Sequence, residues 1–240
     1  VPTPNPTRVP DRPPSDSDSV IYDPRRMLRR ALAAPFATLL TLATLTLGCG
    51  DDGSPLPPPP PVLVFVGDRA VDDGEWIALE AALQTTATAR GLPLEFVADA
   101  AALCDATLGA RAGLVLACPA TQRFDDATRG ALTRFVERGG HVLALDGALR
   151  AESEWWWSRR LFGALSTTEW PFGQYEIATV AAADPSLAEC VFAQPLVQAQ
   201  PDSRTHPLLE LGDAYGRTPV AWERTYDGGG CVGLGLGGTA

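Results

Sequence analysis

Residues 113–145 read GLVLACPATQRFDDATRGALTRFVERGGHVLAL, and their pattern indicates the fold class. Short continuous apolar runs open and close it, at 113–118 and 141–145, and each is typical of a buried parallel strand. The segment between them has apolar residues at helical spacing and ends at a Gly-Gly pair, a common helix stop. Strand, helix and strand in this order predict a βαβ unit with two parallel strands.

The helix of this unit is expected to run from Asp125 to Arg138. Its apolar residues Leu132, Phe135 and Val136 fall on one side when three and four positions are counted per turn. The sequence therefore predicts that this side packs on the sheet and that the opposite side faces water.

The same alternation of strands and helices precedes the central unit. VLVFV (62–66) and LPLEFV (92–97) read as further strands, and a helix is expected between them from about Asp73 to Gly91. After Arg150 the pattern loosens into a Trp-rich helix, a strand near 175–182 and two C-terminal strands, PVAWER and CVGLGL. We expect an α/β fold in three layers, with a mostly parallel sheet and helices on both faces.

The charge of the chain disfavours nucleic acid as a partner. All 19 basic side chains are arginines, and with 29 acids they leave a net charge of −10. Six arginines and six acids balance in residues 1–61, so the whole excess falls on residues 62–240. An acidic domain without a basic stripe is poorly suited to phosphate backbones.

The first 61 residues have the composition of a leader and a tether. Residues 1–26 are rich in Pro, Ser and Asp and are expected to be a disordered leader, or sequence upstream of a true start at Met27. Residues 27–48 begin MLRR and continue as an uncharged apolar run, which is the layout of a secretory signal peptide. Residues 49–61 hold a Cys and a proline-rich stem of extended character.

The end of the apolar run, Leu45-Thr46-Leu47-Gly48-Cys49, resembles the lipobox of bacterial lipoproteins, although Leu47 occupies a position where a small residue is usual. The resemblance implies lipidation at Cys49 and a lipid-anchored domain in the bacterial cell envelope, periplasmic or surface-exposed. A plain membrane anchor or a cleaved signal with an incidental Cys is the alternative.

Four further cysteines follow, Cys104, Cys118, Cys190 and Cys231, which allow three full pairings. In an oxidising compartment we expect at least one disulfide, with buried thiols as the alternative. There is no Cys-x-x-Cys spacing and neither His is near a Cys, so we expect no metal site.

Two longer passages resemble the trehalose-utilisation, or ThuA-like, family. Residues 134–165, RFVERGGHVLALDGALRAESEWWWSRRLFGAL, resemble its helix ending in Gly-Gly, hydrophobic strand, sharp turn and acidic-Trp segment. Residues 218–239, TPVAWERTYDGGGCVGLGLGGT, resemble its C-terminal Pro-Val-Ala-Trp and Tyr-Gly-x-Gly pattern. The resemblance covers about residues 62–240 and implies a flavodoxin-like fold of the class I glutamine amidotransferase type.

The departures from the family pattern concern its histidines. The turn after the fourth strand carries Asp146 where the family has His, the family's His-Pro is Trp170-Pro171, and its Leu-Gly-His is Leu236-Gly237-Gly238. Glutamine amidotransfer needs a Cys at the strand-to-helix turn, and Asp146 excludes that chemistry. A hydrolase with imidazole-bound metal lacks its ligands, and we expect no cofactor.

What remains is a crevice at the carboxyl ends of the strands, where open α/β sheets bind ligands. Its expected lining is Asp68 and Arg69 after the first strand, Thr121 after the third, Asp146 after the fourth, and Trp155. Carboxylates beside an aromatic face suit a polyol. The alternative is that Asp68 and Asp146 only cap a turn or a helix.

Three functions follow from these observations. The first is a tethered, catalytically inactive binding domain with a carbohydrate cleft. The second is an enzyme of trehalose or keto-sugar metabolism in which Asp146 replaces the family His as the catalytic group. The third is an envelope module that docks another protein through its acidic surface. The triple loss of His favours the first.

Overall fold

The computed structural model describes residues 58–68, 74–151, 156–170, 173–179, 190–192, 196–213 and 216–235. Its N-terminal half is the predicted parallel arrangement. The strands of this half are β1 (Val62–Phe65), β2 (Leu94–Val97), β3 (Gly113–Leu116) and β4 (His141–Leu145). They lie in the order β2-β1-β3-β4, and every neighbouring pair is parallel.

Helices connect these strands. They are α1 (Gly74–Ala89), α2 (Asp105–Leu108) and α3 (Asp126–Glu137), with a 3-10 turn at Ala100–Ala102. Helix α3 shows why the sequence folds as predicted here. The side chain of Asp125 caps it by accepting a hydrogen bond from the backbone N–H of Thr128 at 2.7 Å, and Gly139 takes a φ of +98° just after it. The expected helix is thereby confirmed.

Alternate residues of the strands enter two separate cores. Val62 and Val64 of β1 pack against α1 on one face of the sheet, and Leu63 and Phe65 face α3 on the other. All four side chains are buried. Because helices cover both faces of the sheet, the side chains on both faces are buried, and the strand sequences are therefore continuously apolar.

The C-terminal half extends the sheet with antiparallel strands. Two short helices, α4 (Asp146–Ala151) and α5 (Trp156–Phe162), lead into it. Its strands are β5 (Ala164–Trp170), β6 (Gly173–Thr179), β7 (Cys190–Phe192), β8 (Leu196–Pro201), β9 (Thr205–Asp213), β10 (Gly216–Thr225) and β11 (Gly230–Leu234).

Strand β11 joins the two halves. It lies parallel to β4, whereas β10, β9, β6 and β7 follow it in antiparallel pairs and complete a nine-stranded sheet. Strands β5 and β8 form a separate antiparallel pair. The expected α/β fold with helices on both faces is confirmed, and the predicted strands at 175–182 and at the C-terminus correspond to β6, β10 and β11.

For three of the four cysteines of the domain, the expected disulfide is absent. Cys104, Cys118 and Cys231 are thiols in the structure. Cys104 lies on the surface before α2, whereas Cys118 follows β3 at one end of the sheet and Cys231 is near the start of β11 at the other. The fold keeps them apart, and burial raises the pKa of the Cys231 thiol, which makes it unreactive.

The leader, the signal peptide and Cys49 lie outside the described residues. Among the described helices, none combines the length and the apolar character that crossing a membrane requires. Pro61 already belongs to the fold, because its carbonyl oxygen accepts a hydrogen bond from the N–H of Ala112 at 3.1 Å.

Candidate functional site

The ends of β1 and β3 meet at the carboxyl edge of the parallel strands. Gly67 follows β1 with a φ of +60°, a conformation that favours glycine. A Cβ on Gly67 would lie 2.6 Å from Oε1 of Gln122 and 3.1 Å from Cβ of Cys118, both in the segment after β3. A residue with a side chain here would adopt a strained backbone conformation and would have to displace the Gln122 side chain and crowd Cys118.

The chain just after β4 packs against the same segment after β3. Helix α4 begins at Asp146, directly after the last residue of β4, with no loop between them. A Cβ on Gly147 would clash with the carbonyl oxygen of Cys118 and would lie 3.4 Å from Cα of Pro119. Three chain segments therefore converge around Cys118, and we call the surface formed by residues 67–68, 118–123 and 146–147 the carboxyl-edge site.

Three of the predicted residues belong to the carboxyl-edge site by their position in the chain. Asp68 is exposed in the turn after β1, Thr121 is exposed in the turn after β3, and Asp146 is the first residue of α4. Arg69 and Trp155 lie outside the described residues. The backbone thus brings two carboxyl-bearing residues and one hydroxyl to the same edge of the sheet.

The sequence reasoning missed Gln122. Its half-buried side chain has Oε1 against Gly67, and its Nε2 donates a hydrogen bond to the carbonyl oxygen of Arg123 at 3.0 Å. An amide at this point adds a donor and an acceptor to the site. The sequence feature that could have identified Gln122 is its position in the short polar segment after β3, one residue after Thr121.

The two histidines of the chain lie away from the carboxyl-edge site. His141 begins β4 at the opposite end of that strand, and partial burial lowers its pKa. His206 is exposed in β9, the third strand from β4 in the sheet. Within the described residues, therefore, the carboxyl-edge site contains no imidazole, and no group of three metal-ligating side chains is present anywhere.

A second polar cluster lies at the amino end of the sheet. Arg224, near the end of β10, pairs with Asp202 through its NH1 and stacks over the ring of Tyr226 at 5.4 Å. Oγ1 of Thr205 lies 2.8 Å from Oδ1 of Asp202 and 3.0 Å from the carbonyl oxygen of Gly163. These contacts tie β10 to the segments after α5 and after β8.

The pKa values in this cluster fit a structural role. Partial burial alone would raise the pKa of Asp202, but the hydrogen bonds from Arg224 and Thr205 outweigh it and hold that pKa below its ordinary value. Burial raises the pKa of Tyr226 to about 12. These shifts favour a charged ion pair and a neutral phenol at physiological pH, as expected for a cluster that holds chain segments together.

The tryptophan of the Pro-Val-Ala-Trp segment is also structural. Trp222 is completely buried, and its Nε1 donates a hydrogen bond to the carbonyl oxygen of Phe162 at 2.8 Å. Gly233, its partner across the β10–β11 pair, leaves room for the indole. Trp170 ends β5, and Leu236, Gly237 and Gly238 lie outside the described residues.

Gly147→Ala tests the convergence around Cys118. The added methyl group would meet the Cys118 carbonyl oxygen, which is backbone and has little freedom to move, so we expect a loss of about 1–3 kcal/mol in the free energy of unfolding. Urea denaturation measures it. Gly228→Ala is the matched control, because a Cβ there would meet its nearest atom at an ordinary 3.5 Å. Equal stability of the two variants would contradict the described packing.

Comparisons with known proteins agree with this architecture. A ThuA-like protein from Bacteroides uniformis has a TM-score of 0.57 at 16% identity, over 78% of this chain and 86% of that one. A ThuA-like protein from Parabacteroides merdae has a TM-score of 0.53 at 14% identity, over 75% and 80% of the two chains. At these identities the likeness shows the fold.

No curated protein sequence matches the chain. The model of the family described as "ThuA: Trehalose utilisation" matches residues 61–240, three quarters of the chain. That match spans every described strand and helix of the domain. The chain therefore belongs to the ThuA trehalose-utilisation family.

Proposed function

We propose that the domain binds a carbohydrate at the carboxyl-edge site and does not catalyse its conversion. The observation that carries this proposal is the composition of the site. Asp68, Thr121, Gln122 and Asp146 come together there from three segments, and no imidazole accompanies them among the described residues.

Carbohydrate is the ligand class that this set of groups suits best. Carboxylates accept hydrogen bonds from sugar hydroxyls, and hydroxyl and amide side chains both donate and accept them. The position agrees with the general rule that open α/β sheets bind ligands outside the carboxyl ends of their strands. Membership of a family described by trehalose utilisation points to the same class.

The absence of catalysis is inferred from the substituted family positions. Asp146, Trp170 and Gly238 stand where the family pattern has His, so three imidazoles are missing at once. Imidazole is the side chain whose ordinary pKa best suits proton transfer near pH 7. A carboxylate at position 146 still accepts hydrogen bonds, and this is sufficient for binding.

A second candidate is an enzyme in which Asp146 is the catalytic group. It is favoured by the placement of Asp146 at an immediate strand-to-helix transition, which in α/β enzymes often exposes the reacting side chain. This candidate requires turnover of a sugar by the wild-type protein and its loss in Asp146→Ala.

Titration calorimetry of the full chain with trehalose tests whether the site binds a sugar. We expect weak, saturable binding that Asp146→Ala and Asp68→Asn reduce about tenfold, since each removes a charged hydrogen-bond acceptor. Glu137→Gln is the control, because that carboxyl group is exposed at the last residue of α3, next to the start of β4 and therefore at the opposite end of the strands from the site.

Product analysis of the same samples decides between binding and catalysis. No turnover of trehalose or keto-sugars is expected, and robust turnover would replace the first proposal by the second. If neither binding nor turnover of any sugar occurs up to millimolar concentration, the carbohydrate proposal is wrong. The remaining hypothesis is then docking of an envelope protein, which a pull-down from envelope extract tests.

We further propose that a lipid on Cys49 tethers the domain to the bacterial cell envelope. The support is the sequence alone, namely the basic start, the apolar run, the lipobox-like residues and the proline-rich stem. Mass spectrometry of protein from a bacterial host is expected to find diacylglycerol on Cys49 at the start of the mature chain.

Two variants sharpen the test of the tether. Cys49→Ala is expected to move the protein from the detergent phase to the aqueous phase while leaving its fold intact, because the stem separates anchor from core. Cys104→Ala, which removes an exposed thiol of the domain, is expected to leave the partitioning unchanged. An unmodified Cys49 in the mature protein would overturn the proposal.

A further inference from the structure

Arg123 connects the segment after β3 with the far end of helix α4. Its NH1 lies 3.0 Å and 2.8 Å from the carbonyl oxygens of Ala120 and Gln122 in its own segment, and 2.5 Å from that of Ala151, 28 residues later. Ala151 is buried and is the last residue of α4. One cationic nitrogen therefore gathers carbonyl oxygens from two segments of the chain.

Helix α4 depends on contacts of this kind. It has only six residues, which is far below the length at which a helix is stable by itself. The last carbonyl oxygens of a helix have no partner within it, and a positive charge at that end is favourable. The Arg123 guanidinium provides this end of α4 with a positive charge and with one hydrogen bond, to the carbonyl oxygen of Ala151.

The two ends of α4 are held by the same neighbouring segment. Its first turn packs through Gly147 on the carbonyl oxygen of Cys118, and its last residue is bound by Arg123. Residues 118–123 therefore fix the helix that begins with Asp146. The same residues include Thr121 and Gln122, so two parts of the carboxyl-edge site are held in one unit.

We propose that Arg123 is a positioning residue of the carboxyl-edge site, fastening the segment after β3 to α4 so that Asp146 keeps its place relative to Thr121 and Gln122. This inference rests on the proposed sugar-binding function for its effect on affinity. The fastening itself is independent of any ligand.

Hydrogen exchange of the full chain, followed by mass spectrometry without ligand, tests the fastening. In Arg123→Ala, amide exchange in peptides covering 146–151 is expected to become about tenfold faster or more, as expected for the loss of a charge-assisted hydrogen bond. Arg123→Lys is expected to be intermediate, because a single cationic nitrogen makes all three contacts.

Arg138→Ala is the matched control. Arg138 is an exposed arginine whose partner is Asp105, so its loss is expected to leave exchange at 146–151 unchanged. Unchanged exchange in Arg123→Ala, equal effects of Arg123→Ala and Arg138→Ala, or a Lys variant no better than the Ala variant would each overturn the proposal.

Trehalose titration of the same variants tests the consequence for binding. Arg123→Ala is expected to weaken the affinity about tenfold at a nearly unchanged melting temperature, and Arg123→Lys to restore part of it. Unchanged affinity in Arg123→Ala would overturn the positioning role even if exchange increases. If the wild-type protein binds no trehalose, the sugar-binding function fails, whereas the exchange measurement still decides whether Arg123 fastens α4.

Discussion

Replacing Trp222 by alanine is expected to remove about 3–5 kcal/mol from the free energy of unfolding, the range found for large aromatic residues in cores. The indole is completely buried on the helix-covered face of β10, and it anchors the end of α5 through the hydrogen bond to Phe162. Domains of this size are stable by about 5–15 kcal/mol, so the variant is expected to lose a large part of its stability. Urea denaturation followed by near-UV circular dichroism measures the change.

Two further variants separate packing from hydrogen bonding at this position. Trp222→Phe keeps a buried ring but leaves the Phe162 carbonyl oxygen without its donor, for which we expect a smaller loss of about 1–3 kcal/mol. Gly233→Ala places a methyl group 2.5 Å from the indole and is expected to destabilise through overpacking. A loss below about 1 kcal/mol in Trp222→Ala would show that the indole is not a core residue.

The parallel half of the fold could be predicted because its sequence signals are local. Strands β1, β3 and β4 are buried on both faces, so each is a continuous apolar run, and α3 combines an amphipathic pattern with a capping Asp125 and a terminating Gly139. Each of these features is contained within a few residues, and tertiary contacts only reinforce them.

Most of the antiparallel half could not be predicted in the same way. Strand β9, THPLLELGD, contains a proline and two acids, and β8, LVQAQP, ends in proline. Residues of this kind are depleted in strands and give no clear alternation. Strand β9 is extended because it pairs with β10 in a specific register, and β8 is extended because it pairs with β5, which is distant in the chain. The residues of β8 and β9 themselves do not indicate these partners.

The candidate site also has one part that could be predicted from the sequence and one part that could not. That Asp68, Thr121 and Asp146 meet at one edge follows from the strand order of a βαβ fold, and it was predicted from the chain. The contacts of Gln122 and Arg123 depend on how closely the chain segments approach each other at Gly67 and Gly147. Such approach distances are set by the three-dimensional backbone, and no spacing in the sequence encodes them.

Phe135→Ala tests whether the periodicity of α3 was interpreted correctly, and we expect it to lower the free energy of unfolding by about 3–5 kcal/mol. Leu132, Phe135 and Val136 are all buried, as the spacing predicts. The Phe135 ring also covers Gly140, where a Cβ would lie 2.5 Å from it, so its removal opens a cavity between the end of α3 and the start of β4. Ile77→Ala is the control, because Ile77 on α1 is 54% exposed and its truncation is expected to change stability by less than about 0.5 kcal/mol. Urea denaturation of the two variants in parallel measures the difference, and a Phe135 variant as stable as the Ile77 variant would mean that another side of α3 packs on the sheet.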